Sequence, residues 1–252
     1  MSDVANKRIV ITGGASGIGA ASAKILASRG AKVLISDVNQ ADGEALAKSL
    51  TDAGGEVYFC RTDVSDPSEV AALVKQACEQ LGGVDVMINN AGVDHNPANM
   101  LEVPQADFDR NIAINLTGVW HCMRSALPVM LKQGNGQVIN VASVAGLRSS
   151  PMLSAYSAAK HGVVGLTKAA AVEFARANVR CNAICPSFVD TPMVQNTLKK
   201  VDERAQRAIV GANPMKRLGK VEEIAYAIAW LSSDESSFMT GQNVVLDGGM
   251  LA

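Results

Sequence analysis

Tyr156 and Lys160 stand four residues apart in the run Tyr-Ser-Ala-Ala-Lys. On a helix that spacing stacks a phenol and an ammonium one turn apart on one face. A free phenol titrates near pH ~10, and a close positive charge favours the phenolate and draws its pKa toward the working range. A phenol so placed can take a proton from an alcohol or give one to a carbonyl. Upstream, Ser143 closes a β-branched run, where its hydroxyl could hold a substrate oxygen beside Tyr156. Tyr and Lys at helical spacing are common on surfaces, so the pair gains meaning from what surrounds it.

A second chemical feature is Thr12-Gly13-Gly14-Ala15-Ser16-Gly17-Ile18-Gly19. It follows a short apolar run and opens a helical pattern, and its glycines let the backbone turn tightly against a pyrophosphate while the helix amino terminus offers unpaired N–H groups. Asp37 ends the next apolar run, where a carboxylate can accept hydrogen bonds from adenosine ribose hydroxyls; as a plain turn residue it would do nothing of the kind. That carboxylate repels a 2'-phosphate, and neither Ser16 nor Val38 supplies a compensating cation. The expected cofactor is NAD rather than NADP.

These groups need a scaffold, and the chain alternates short β-branched runs with helical periods, the pattern of parallel strands joined by crossover helices. Strands are expected at 8–12, 32–36, 56–60, 84–89, 137–142, 179–184 and 243–246, and helices at 18–28, 41–53, 67–81, 106–131, 155–175 and 222–232. In the fourth helix Ile112, Leu116, Val119, Met123 and Leu127 form an apolar stripe. The fold class is α/β, a Rossmann-like doubly wound parallel sheet of seven strands with helices on both faces. Residues 1–252 read as one dinucleotide-binding and catalytic domain. The alternation breaks at 192–220, a polar insertion with Lys199-Lys200 and Asp202-Glu203-Arg204; it is a solvated helix face or a substrate lid.

Composition is that of a folded enzyme, 48% hydrophobic and 19% charged, with a net charge of −1 that gives no field for nucleic acid or an anionic membrane. Residues 1–7 are polar and leave no room for a secretory leader, and no apolar run is long enough to span a bilayer. The expectation is a soluble, cytoplasmic chain. Five cysteines lack metal spacing; Cys181 and Cys185 read as buried thiols, and no metal is assigned.

With these motifs in order, the sequence resembles the classical short-chain dehydrogenase/reductase family over essentially the whole chain. Thr12-Gly13-x-x-x-Gly17-x-Gly19, Asn89-Asn90-Ala91-Gly92, and Ser143 with Tyr156-x-x-x-Lys160 match its motifs, and Asn115 matches the fourth member of its catalytic tetrad. The resemblance implies that Tyr156 exchanges the proton, Ser143 orients the substrate oxygen, Lys160 binds the nicotinamide ribose, and Asn115 anchors a water in a relay through Lys160. It further implies cofactor contacts from Ser16 and Ile18 in the turn, from Asp63 and Val64 at the adenine, from Asn90, Ala91 and Gly92, and from Pro186, Val189 and Thr191 beside the nicotinamide. Ser187 stands where many members carry Gly, which puts the local backbone path in question. Met239-Thr240-Gly241-Gln242 with Asp247-Gly248-Gly249 resembles the family's carboxyl-terminal strand and implies a homotetramer.

The implied function is NAD-dependent hydride transfer to or from a secondary alcohol or ketone. The alternatives are a 3-oxoacyl-thioester or broad carbonyl reductase, and a catalytically silent NAD-binding regulatory protein, against which the complete set Asn115, Ser143, Tyr156 and Lys160 argues. Candidate substrate positions are Ser143, His95, Leu147, Met152 and Met193, with Val93, Ala145, Val189 and Val194, a mostly apolar set that suggests an uncharged substrate. Arg148 would pair with a carboxylate if it pointed inward. His95 could equally be a solvent-facing loop residue.

Overall fold

A computed structural model describes residues 3–252; Met1 and Ser2, on which part of the leader expectation rests, lie outside the described residues. The strands are β1 (Arg8–Thr12), β2 (Lys32–Asp37), β3 (Glu56–Arg61), β4 (Val86–Asn89), β5 (Gly136–Val141), β6 (Val179–Pro186) and β7 (Asn243–Leu246). They form one seven-stranded sheet in the order β3-β2-β1-β4-β5-β6-β7, parallel throughout. The helices are α1 (Gly17–Ser28), α2 (Gln40–Asp52), α3 (Pro67–Leu81), α4 (Gln105–Ile112), α5 (Gly118–Gln133), α6 (Ser154–Phe174), α7 (Pro192–Leu198), α8 (Glu203–Gly211) and α9 (Val221–Ser232).

Parallel strands covered on both faces read as continuous apolar runs, and each face has its own core. Val10, Leu34, Met87 and Val138 pack with α3, α5 and α6, while Ile9, Ile11, Val33, Ile35, Ile88 and Ile139 pack with α1, α2 and α9. Ile9, Ile11, Ile35, Met87, Ile88 and Ile139 are fully buried, each worth about 1.5–3 kcal/mol relative to exposure. That burial fixes strand register, and register fixes which side chains stand at the carboxyl edge.

The structure departs from the sequence reading in three places. β4 starts at Val86, because the backbone of Val84 is held on both sides by the Gln133 amide and the Asp85 carboxylate turns back onto Arg8. The expected helix at 106–131 is interrupted by a π-helical turn, Ala113–Thr117, between α4 and α5. Its extra residue rotates the upstream half: Ile112 and Leu116 are only partly buried, whereas Asn111 and Asn115 are turned inward. Val119, Met123 and Leu127 of the stripe are buried as expected. The insertion after β6 holds two helices, α7 and α8, and its ends are clasped: Asp190 donates its N–H to Gly219 and Gly219 donates to Phe188.

No helix among the described residues is long and apolar enough to cross a membrane.

Candidate functional site

The sheet's connections reverse direction between β1 and β4, leaving a crevice at the strands' carboxyl ends, where open α/β sheets bind ligands. A cavity of about 620 Å³ occupies it. It runs from the glycine turn and Asp37 at one end to Ser143, Tyr156 and Lys160 at the other, with Met193 and Val194 of α7 along its rim.

At the first end, backbone must approach backbone. A Cβ on Gly19 would sit 2.2 Å from the Gly13 carbonyl oxygen, and one on Gly13 would sit 2.7 Å from Ala91 Cα; Gly13 also has a positive φ. The turn is tied across to β4, since Asn90 Nδ2 donates to the carbonyls of Thr12 and Gly13 (3.0 and 2.8 Å) and Thr12 Oγ1 accepts from the amides of Asn90 and Ala91. Ser16 caps α1 without a side-chain bond, and no acidic residue stands in the helix's first turn. Those free N–H groups and the positive dipole end suit an anion. Asp37 accepts from Ala15 N and Asn39 N, both at 3.0 Å, so its carboxylate also pins the turn to β2. Opposite it in register stands Arg61, whose charge is taken up by Glu69 at 3.0 Å. These residues fit a dinucleotide: the turn and α1 for the pyrophosphate, Asp37 for a ribose, and Asp63 and Val64 on the adenosine wall.

At the other end Ser143 follows β5 and Tyr156 and Lys160 rise from the first turns of α6. Ser143 Oγ accepts from Ala145 N at 3.1 Å, which fixes the hydroxyl's position. Lys160 is buried and its Nζ donates to the Val141 carbonyl at 2.8 Å, lying 5.5 Å from the centre of the Tyr156 ring. The sequence predicts a lowered phenol pKa, and the structure reverses it. Burial pushes Tyr156 up to about 12, with Ser143 pulling down and the charge of Asp94 pushing further up. The reason is burial, which penalises the phenolate more than the neighbouring hydroxyl favours it. Burial in turn lowers Lys160 to about 8.

Asn115 is fully buried and lines no part of the cavity. Its amide is spent on loop geometry: Nδ2 donates to Val93 O (2.7 Å) and Asn111 Oδ1 (3.0 Å), and Oδ1 accepts from Val93 N (2.9 Å). Gly92 passes between it and Lys160, because a Cβ there would meet Asn115 Oδ1 at 2.8 Å and Lys160 Nζ at 3.7 Å.

Gly13, Ser16, Gly17, Ile18, Asp37, Asp63, Val64, Asn90, Ala91, Gly92, Ser143, Tyr156, Lys160, Pro186, Val189, Thr191 and Met193 all line the one cavity. Gly19 stands behind the turn. Among the expected substrate residues, His95, Leu147 and Met152 stand outside the cavity: His95 is buried with Nδ1 at 2.8 Å from Asn96 O, Leu147 packs against the core, and Met152 is 48% exposed with φ 65°. Ala145 is buried and Arg148 faces solvent. Ser187 lines the cavity without a left-handed φ, so the residue that replaces glycine is accommodated. Sequence reading missed Arg61, Arg110 and Ile114 on the wall; Arg61 was legible as the last residue of β3, and Ile114 was hidden by the π-turn. Among the described residues no cluster of His, Cys, Asp or Glu could hold a metal ion.

A family model described as enoyl-(acyl carrier protein) reductase matches residues 13–251. The chain is 43% identical to cis-4-hydroxycyclohexanecarboxylate dehydrogenase of Sinomonas cyclohexanicum, covering 98% of each chain. It is 41% identical to levodione reductase of Leifsonia aquatica over 97% of this chain and 94% of that one, and 38% identical to the 3-oxoacyl-[acyl-carrier-protein] reductase FabG of Thermotoga maritima over 97% and 98%. The crystal structure of levodione reductase superimposes with a TM-score of 0.94 at 40% identity, covering 97% of both chains.

Proposed function

The chain belongs to the short-chain dehydrogenase/reductase family and is an oxidoreductase of alcohol and carbonyl groups that uses a nicotinamide cofactor, and from that premise we propose that the cofactor is NAD and that Tyr156 is the acid/base. The observation that carries the proposal is the single cavity with Asp37 at one end and Ser143, Tyr156 and Lys160 at the other.

The cofactor supplies or accepts the hydride. The chain's part is to bind, orient and move the proton. Ser143 Oγ, set by Ala145 N, donates to the substrate oxygen beside the phenol. Tyr156 is raised by burial and is therefore protonated at neutral pH, the form that donates to a carbonyl oxygen as it gains charge. Donation leaves a phenolate, and in the oxidising direction it is this phenolate that takes the alcohol's proton and becomes phenol again; Lys160, cationic below about 8 and 5.5 Å from the ring centre, is the charge that favours it. Asn115 acts through Val93 by holding the loop against Lys160. Asp37 supports NAD because a 2'-phosphate would meet its carboxylate, while Arg61 is already neutralised by Glu69.

Initial rates at 340 nm with cyclic and open-chain secondary alcohols and ketones, each with NAD(H) and NADP(H), test the reading. An NAD(H)-dependent signal supports it. The similarity to FabG favours a second reading, reduction of a 3-oxoacyl thioester, and activity confined to NADPH with such a thioester would replace the first.

A homotetramer in the cytoplasm completes the proposal. Trp120 of α5, Val172 of α6, Tyr226 of α9 and Val245 of β7 are large apolar side chains left exposed, the kind of surface that subunit contacts cover. Light scattering at the monomer mass would refute the assembly.

A further inference from the structure

Asp37 and Arg61 are direct neighbours, paired in register across β2 and β3. Such partners stand about 4.8 Å apart and point to the same face of the sheet, and both of these residues line the cavity. Yet the two opposite charges do not pair with each other. Asp37 accepts from the Ala15 and Asn39 amides, while Arg61 Nη1 donates to both oxygens of Glu69 at 3.0 Å. Glu69 stands in the first turn of α3, and its Oε2 also accepts from Asp63 N at 2.7 Å. One carboxylate behind the cavity thus holds two residues of its adenosine wall. The Arg61 side chain is 49% exposed, so the ion pair, rather than packing, sets where its guanidinium lies.

We propose that Glu69 determines cofactor specificity as a positioning residue acting through Arg61: by holding that guanidinium it denies a 2'-phosphate its cation, and removing its charge makes Arg61 the phosphate's ligand. Arginine is the side chain suited to that task, with a planar fork of donors that matches phosphate oxygens. Discrimination against NADP then has two layers, repulsion by Asp37 and a cation withheld beside it. Arg110 is a further cation on the cavity wall, with no ion pair among the described residues. It stands on α4 rather than at the sheet edge next to Asp37, and the test includes it.

The proposal rests on the NAD reading argued above, and the test separates the two. Fluorescence titration gives the Kd of NADH and of NADPH, without turnover, for wild type, for Glu69→Gln, and for Glu69→Gln combined with either Arg61→Ala or Arg110→Ala. Glu69→Gln keeps an acceptor for Asp63 N and removes the charge that holds Arg61. NADPH affinity is expected to rise by about tenfold, the size of one charge-assisted contact, with NADH changing by less than about threefold. Adding Arg61→Ala should abolish the gain, and adding Arg110→Ala should leave it. An NADH-to-NADPH ratio unchanged in Glu69→Gln overturns the proposal, as does a gain that survives Arg61→Ala or vanishes with Arg110→Ala. Loss of both cofactors in Glu69→Gln also overturns it, because Glu69 would then serve only the Asp63 backbone. A wild type that binds NADPH as tightly as NADH refutes the NAD reading, while the shift of ratio on Glu69→Gln still decides Glu69 and Arg61. A wild type that binds neither refutes both.

Discussion

Asn115→Ala is the substitution whose cost the structure sets out most fully. It deletes three hydrogen bonds at 2.7, 2.9 and 3.0 Å and leaves Val93 N–H, Val93 C=O and Asn111 Oδ1 to find other partners. Asn111 is as buried as Asn115, while Val93 is only partly so and water recovers part of its loss. At about 1 kcal/mol for each bond the sum is roughly 3 kcal/mol. For a chain of this size that corresponds to a melting point lower by about 6–12 °C. The freed loop also carries Ala91 and Gly92 of the cavity wall, so NADH affinity should weaken alongside. Calorimetric melting with and without NADH, and fluorescence titration of the cofactor, measure both. Asn111→Ala combined with Asn115→Ala should cost less than the sum of the singles, because they share a bond. A melting point within about 2 °C of wild type would refute the idea that this side chain holds the loop.

Tyr156→Phe is expected to bind NADH normally and lose turnover by about 10²–10⁴-fold; near-normal rates would remove the acid/base assignment. In the reductive direction kcat/KM should be level at acid and neutral pH, where the phenol is protonated and Lys160 cationic, and decline above about 8 as the ammonium loses its proton. A profile flat through pH ~10 would contradict that coupling. Asp37→Ala should weaken NADH by about tenfold or more and NADPH by less, narrowing their Kd ratio, because the lost acceptor is charged; an unchanged ratio would show that the carboxylate serves only the Ala15 and Asn39 amides.

The central strands were legible because they are buried on both faces, so Ile9-Val10-Ile11 and Met87-Ile88 advertise themselves without any alternation. The glycine turn, Asp37 and the Tyr156–Lys160 pair were legible because their spacing is local and the strand register carries them to one edge. The π-turn was not, since Ile112, Leu116 and Val119 fit an unbroken helix; the clue was Asn111 and Asn115, two amides four apart beside an apolar stripe. α7 and α8 lay in a polar insertion, yet Thr191-Pro192 and Asp202-Glu203 are ordinary helix starts, and Thr191 and Asp202 do accept from Val194 N and Ala205 N. Substrate contacts were least legible. Loops at 93–99 and 147–153 have no period, so His95, Leu147 and Met152 followed chain proximity, and none of the three lines the cavity. The direction of the Tyr156 shift depended on its burial in the assembled crevice, which the local spacing of Tyr156 and Lys160 does not carry.

The clasp at the base of the insertion has an evolutionary reading. Phe188, Asp190 and Gly219 close the excursion with two backbone hydrogen bonds and a parallel bridge between Val189 and Gly219, none of which depends on a side chain. Everything between 192 and 218 is therefore a cassette, held at its neck by backbone groups that, short of a proline, side-chain substitution leaves in place. Its helices can lengthen, shorten or change composition while β6 and the nicotinamide-side wall stay in place, so new substrates are accessible by rewriting a stretch that the sheet does not need.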